Sequence, residues 1–198
     1  MILLLGMMPL NDIKLEALSQ WNGVGFDLIL NTPRLQQHQK YSEFVRTYFR
    51  AACQELNSEE IQRFAPFASE SDQLEGFLFV LMDNIKRTEE VFKKPHKEPS
   101  SASYFEMLYE DINNPHKKTD EKRKTALSTL IGVVSTDVLQ QVSQTLQMQN
   151  NAMTNNPKMN SHTILNDCAM QVQNEILARV AQDASNTEHN KPDIKRKM

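Results

Sequence analysis

Between Thr125 and Met153 the chain carries a single charged side chain, Asp137, in 29 residues. Such a stretch cannot be an ordinary surface helix. A helix with a wet face normally sets Lys, Glu or Arg on it, because those residues favour helix and are cheaply solvated. Here Leu127, Leu130, Ile131, Val134, Val138, Val142 and Leu146 recur at helical spacing among Gln, Ser and Thr. Those neutral polar residues can be buried at lower cost than ions when hydrogen-bonded. The segment is therefore either central to the fold or covered by a partner. Ser135-Thr136-Asp137 supplies a cap at which the helix can restart after a kink near Gly132.

The other apolar stripes share this pitch. Asn11-Asp12 can cap a short helix through Trp21, which Gly23 and Gly25 then break. Thr32-Pro33 opens a helix expected to run to about Leu56, with Leu35, Tyr41, Phe44, Val45, Tyr48, Phe49 and Ala52 on one face. Asn57 with Glu60 reads as a capping-box variant opening a helix near Ser58 that stops before Pro66. Ser69 or Ser71 starts a helix to about Phe92, and Ser161 caps a last one bearing Leu165, Cys168, Val172, Ile176, Leu177 and Val180. The run Val24 to Leu30 fits either a short strand or a buried turn. With only 5 glycines in 198 residues, a β-rich chain is disfavoured.

The fold class expected is all-α: an irregular bundle of about six to seven helices, with room for one short strand near 24–30. Residues 1–94 form an N-terminal helical core and 95–183 the helices packed on it, or 10–183 form one domain. A disordered tail occupies 184–198, where the composition is polar with no apolar period. The opening MILLLGMMPL is too short to span a membrane and lacks a cationic start. It reads as a strand or extended segment packed on the core, with a peripheral anchor as the alternative.

Function classes narrow by elimination. Net charge is −3, and by segment it is −5 over 1–85, +2 over 86–124 and zero over 125–198. That balance argues against nucleic acid as a partner, despite the Lys117 to Lys124 cluster and the Lys195-Arg196-Lys197 tail. Pro-His-Lys occurs twice, at Pro95-His96-Lys97 and Pro115-His116-Lys117, but no histidine stands three or four residues from another. Metal ligands need such spacing, so the two copies read as punctuation between helices. Cys53 and Cys168 lie in apolar helical contexts as reduced core thiols. Neighbouring carboxylates such as Glu59-Glu60 diverge by about 100° on a helix and share no face. Phosphate-loop, dinucleotide and hydrolase motifs are absent from the sequence. No catalytic residue, metal ligand or cofactor is expected.

What remains is recognition by helical surfaces. One candidate is the stripe Val138, Val142 and Leu146. The other is the short amphipathic stretch Ser103 to Asn113, with Tyr104, Phe105, Leu108 and Ile112 on one side and Glu106, Glu110 and Asp111 on the other. A helix that short is marginal alone and must dock. In composition the uncharged Gln/Asn-rich helices and polar tail resemble secretion-associated bacterial effectors and their adaptors. The expected function is a non-catalytic, helical protein-protein interaction protein: an adaptor, regulator or chaperone-like molecule. Its partner is another protein or a second copy of itself, it has no transmembrane segment, and its place is the cytoplasm. A secreted effector exported from a bacterium into a host cell is the first alternative. A small enzyme with an unfamiliar site is the second.

Overall fold

The computed structural model describes residues 8–93, 115–153 and 161–189. It is an all-helical, irregular bundle, with no strand among the described residues. Among the described residues there are nine α-helices: α1 (Leu15–Ser19), α2 (Asn22–Asn31), α3 (Pro33–Gln36), α4 (Tyr41–Gln54), α5 (Ser58–Phe64), α6 (Glu70–Lys93), α7 (Pro115–Val133), α8 (Thr136–Met153) and α9 (Ser161–His189). Single 3-10 turns precede α1 and α6, at Leu10–Asp12 and Ala65–Phe67. The opening residues 1–7 and the segment 94–114 lie outside the described residues, and so do residues 190–198 of the polar tail. Residues 184–189 of that tail belong to α9.

The last four helices form an up-and-down arrangement. Arg123 of α7 pairs with Asp83 of α6 (Nε to Oδ2, 2.6 Å), while Ser135, just past α7, meets Gln73 near the start of α6. Residue numbers rise along one helix as they fall along the other, so α6 and α7 are antiparallel. Arg179 of α9 reaches the α7–α8 corner, which makes α9 antiparallel to α8. The hairpin of α4 and α5 packs on α6 and α7. One continuous set of buried apolar residues runs from Ile13 to Val172 through both halves.

Several boundaries obey the expected caps. Asn57 Oδ1 accepts the Glu60 N–H at 3.3 Å. The Asn57 N–H is itself donated back to Ala52 O at 2.9 Å, and Leu56 N–H to Cys53 O at 3.3 Å. These two bonds close α4 with Leu56 at φ 54°, a left-handed cap without glycine. The Glu60 side chain therefore has no Asn57 donor to serve, and only half of a capping box forms. Ser69 Oγ accepts the Asp72 N–H at 3.2 Å and opens α6. Ser135 Oγ does the same for Val138 and opens α8.

Three expectations are corrected. The strand near 24–30 is instead helix α2: Phe26, Ile29 and Leu30 are buried at three- and four-residue spacing, while Val24 is exposed. A short apolar run fits either element, and packing against α1 decides it. The glycines there do not break a helix. A Cβ on Gly25 would stand 1.9 Å from the Leu18 carbonyl oxygen, so glycine lets α1 and α2 touch. The single helix expected from Pro33 to Leu56 is interrupted between Gln36 and Tyr41. Residues 36–40 hold no apolar side chain to sustain the stripe. His38 Nδ1 also accepts the Lys40 N–H at 3.1 Å, a local bond that competes with the helix.

Gly76 performs a similar service between α4 and α6. A Cβ there would lie 2.7 Å from Phe49 Cε1 and 2.9 Å from Cys53 Sγ. Helix propensity alone makes Gly76→Ala stabilising by about 1 kcal/mol. Overpacking against Phe49, which is wholly buried, reverses the sign. Denaturant unfolding of Gly76→Ala is expected to show a net loss of about 1–3 kcal/mol.

Candidate functional site

The sequence-derived contact residues fall into two groups. Val138, Val142 and Leu146 are fully buried on the inner side of α8, against α6 and α9. The chain's own helices cover this stripe, while the other side of α8, with Gln140, Gln141, Gln144 and Gln147, is exposed yet uncharged. Tyr104, Phe105, Leu108 and Ile112 lie outside the described residues.

Among the described residues the cysteines and His38 are sequestered. Both cysteines are buried and free. Burial in apolar surroundings pushes the thiols of Cys53 and Cys168 up to about 12. His38 is buried at the turn between α3 and α4, with Nδ1 engaged by the Lys40 N–H. Among the described residues no group of three or more His, Cys, Asp or Glu could hold a metal ion. A cleft of about 270 Å³ between α4 and α6 is lined by Arg50, Cys53, Gln54, Glu75, Gly76 and Phe79. Arg50 and Glu75 pair with each other across its rim. The charges that could act on a ligand there are thus already engaged, and the thiol at its base is protonated.

Helix α9 carries the feature that sequence reading missed. Its inward side presents Leu165, Cys168 and Val172, all buried, followed by the half-buried Ile176 and Arg179. Arg179 anchors it. Its Nη1 donates to Val134 O at 2.7 Å, and its Nη2 donates to Ile131 O at 3.1 Å and Gly132 O at 3.0 Å. Its Nε donates to Glu175 Oε1 at 2.8 Å. One guanidinium thereby serves three carbonyls at the end of α7, where a helix leaves its own acceptors unmet. The opposite side of α9 is apolar as well. Met170, Leu177 and Val180 are 61%, 66% and 56% exposed. Gln173 and Ala184, also exposed, complete a row at alternating three- and four-residue steps. The inner and outer rows are offset by five residues, about 140° on a helix. The outer row carries no charge; over residues 165–185 the charged residues are Asp167 and Glu175 off both rows, and Arg179 and Asp183 where the inner row ends.

Other exposed apolar side chains, among them Trp21 at the turn before α2 and Val24, Phe79, Met82 and Met148 on other helices, stand singly or in pairs. Scattered residues of this kind are normal on a protein surface. No helix among the described residues is long and apolar enough to cross a membrane. Comparison with protein-family models, with curated proteins and with solved structures finds no match.

The protonated thiols lead to a direct check. At pH 8 a thiol held near 12 has about a thousandfold less thiolate than one near 9. An exposed-thiol reagent is expected to label neither cysteine in the folded chain at pH 8 on the timescale that labels both in denaturant. Because the folded values lie above the unfolded ones, this contribution to stability is intact below about pH 9. It is lost as the pH rises toward 12, where only the unfolded chain releases those protons. A denaturation midpoint that rises between pH 9 and 11 would contradict the burial of these groups.

Proposed function

We propose that this chain is a non-catalytic helical protein that works by surface contact, as an adaptor or regulator of another polypeptide. The observation carrying this reading is the outer row of α9, where Met170, Leu177 and Val180 stand exposed in register on one helix. An apolar row at helical pitch that faces water costs solvation free energy, and a helical partner surface removes that cost. Support also comes from the interior. The core is closed, both thiols are buried and protonated, and the cleft between α4 and α6 has its ions paired across the rim. A protein partner accounts for these features together, whereas a nucleic-acid partner would be drawn by a basic surface. The charges flanking the outer row, Asp167 and Asp183, are both acidic.

The test is a photo-activated cross-linking residue placed at Leu177 in cells that naturally make the chain. A second chain carries it at Glu43, exposed on α4. A discrete, reproducible protein adduct from position 177 and none from position 43 is expected. Equal or absent adducts at both positions would overturn contact through α9.

A further inference from the structure

We infer that Arg179 is a latch on the distal part of α9. While its guanidinium holds the end of α7, the helix stays ordered through Arg179. When it lets go, α9 opens back to Val172 with the rest of the bundle still folded. As the device that keeps Leu177 and Val180 in register with Met170, the latch rests on the surface-contact reading. The latch itself rests on the burial and bonds of α9 alone.

The helix divides at Val172. Up to that residue Leu165, Cys168 and Val172 are buried and fix it to the core. From Gln173 to Ser185 no side chain is buried; Glu175, Ile176 and Arg179 are half-buried and the others exposed. These residues extend a helix that already exists, so they need no nucleus. Each added residue, however, gains about as much as its lost chain entropy removes. Asn174, Asp183 and Ser185 are poor helix formers, which weakens the stretch further. Ile176, only half-buried, adds little apolar burial.

Arg179 changes that balance. Its Nη1 and Nη2 donate to the carbonyls of Val134, Ile131 and Gly132, and so tie the distal stretch to the α7–α8 corner. Those acceptors stand at a helix end, where backbone partners run out and a partial negative charge accumulates. Glu175, one turn earlier, accepts from Nε and aims the fork. A planar group with donors on all three nitrogens suits three carbonyls at one corner; the ammonium of lysine has the charge without the fork. Because these bonds leave from one side chain, they are lost together. Release then moves the limit of order by about two turns, from Arg179 to Val172, rather than fraying the end residue by residue.

Amide hydrogen exchange on the full chain, resolved by residue, is the test. In the wild type, protection is expected to persist through Arg179 and to fall beyond it. Arg179→Met keeps a long stem and a good helix former but removes every one of these bonds. In that variant the boundary is expected to retreat to Val172. Amides of residues 174–179 should exchange about tenfold faster or more, and those of 165–172 at the wild-type rate. Arg179→Lys should fall between the two. A wild-type boundary already at Val172 overturns the latch, and so does a Met variant whose 174–179 amides keep the wild-type rate. Equal acceleration of 165–172 also overturns it, because α9 then moves as one piece. If Arg179→Met does not fold, Arg179→Lys reads the same boundary, and an unmoved boundary there overturns the proposal. Cross-linking from Leu177, repeated in the Met variant, separates the latch from the contact reading. A retreated boundary with a diminished adduct supports the device. A retreated boundary with an undiminished adduct overturns its link to the contact face. A retreated boundary with no adduct even in the wild type leaves the latch standing and removes the surface-contact reading.

Discussion

The architecture hinges on one buried amide. Gln73, only 5% exposed, donates from Nε2 to Ala65 O at 2.9 Å and to Ala68 O at 3.0 Å. Its Oε1 accepts the Ser135 N–H at 2.8 Å. Those three backbone groups sit where helices stop: at the 3-10 turn after α5, at the entry to α6, and at the break between α7 and α8. Helix ends leave such groups short of partners, although Ala65 O also accepts the Ala68 N–H at 3.1 Å, and burying one unmet costs about 1–3 kcal/mol. One side chain thus lets three breaks converge in the interior, and joins the α4–α5 hairpin to the four-helix half. The apolar core supplies the bulk of the driving force, but it does not specify where the chain turns.

From that corner outward the exposed row of α9 follows. The turn at Ser135 sends α8 back along α6, and α8 carries α9 with it. Arg179 then fastens α9 to the same corner from the other side. With its inner row packed toward α8, α6 and α7, α9 has no further neighbour among the described residues for its second row. The helix is held rigidly by one face and offers the other. A surface built on a fixed element loses little conformational freedom on binding, which favours affinity per contact made.

Much of the fold was readable because its signals are local. Helix starts at Pro33, Ser58, Thr136 and Ser161, and the chain break before Ser135, come from proline position, cap residues and three-four stripes. The misses are long-range. Gly25 and Gly76 look like breakers, and only the approach of Leu18 and Phe49 shows them to be contact points. Leu56 takes a left-handed conformation that no residue preference announces. Nothing near Gln73 or Arg179 in sequence reveals a partner 62 or 45 residues away. The contact surface was obscured differently. Leu165, Cys168, Val172, Ile176, Leu177 and Val180 read as one stripe, yet they divide into an inner and an outer row. The signal was present, since residues 168 to 174 and 176 to 178 hold no charge on any side. A similar lack of charge marks 125–153, where the apolar stripe is covered by the chain while neutral polar residues face outward. Sequence alone does not distinguish a face that is covered by the chain from one that awaits cover.

The most direct test of this architecture is equilibrium unfolding of Gln73→Leu in denaturant, followed by Trp21 fluorescence and by far-ultraviolet circular dichroism. Leucine keeps the volume and removes all three bonds. The expected result is a loss of about 2–4 kcal/mol, with the two probes moving together. A change within about 0.5 kcal/mol, the size typical of exposed substitutions, would contradict the central place given to this residue.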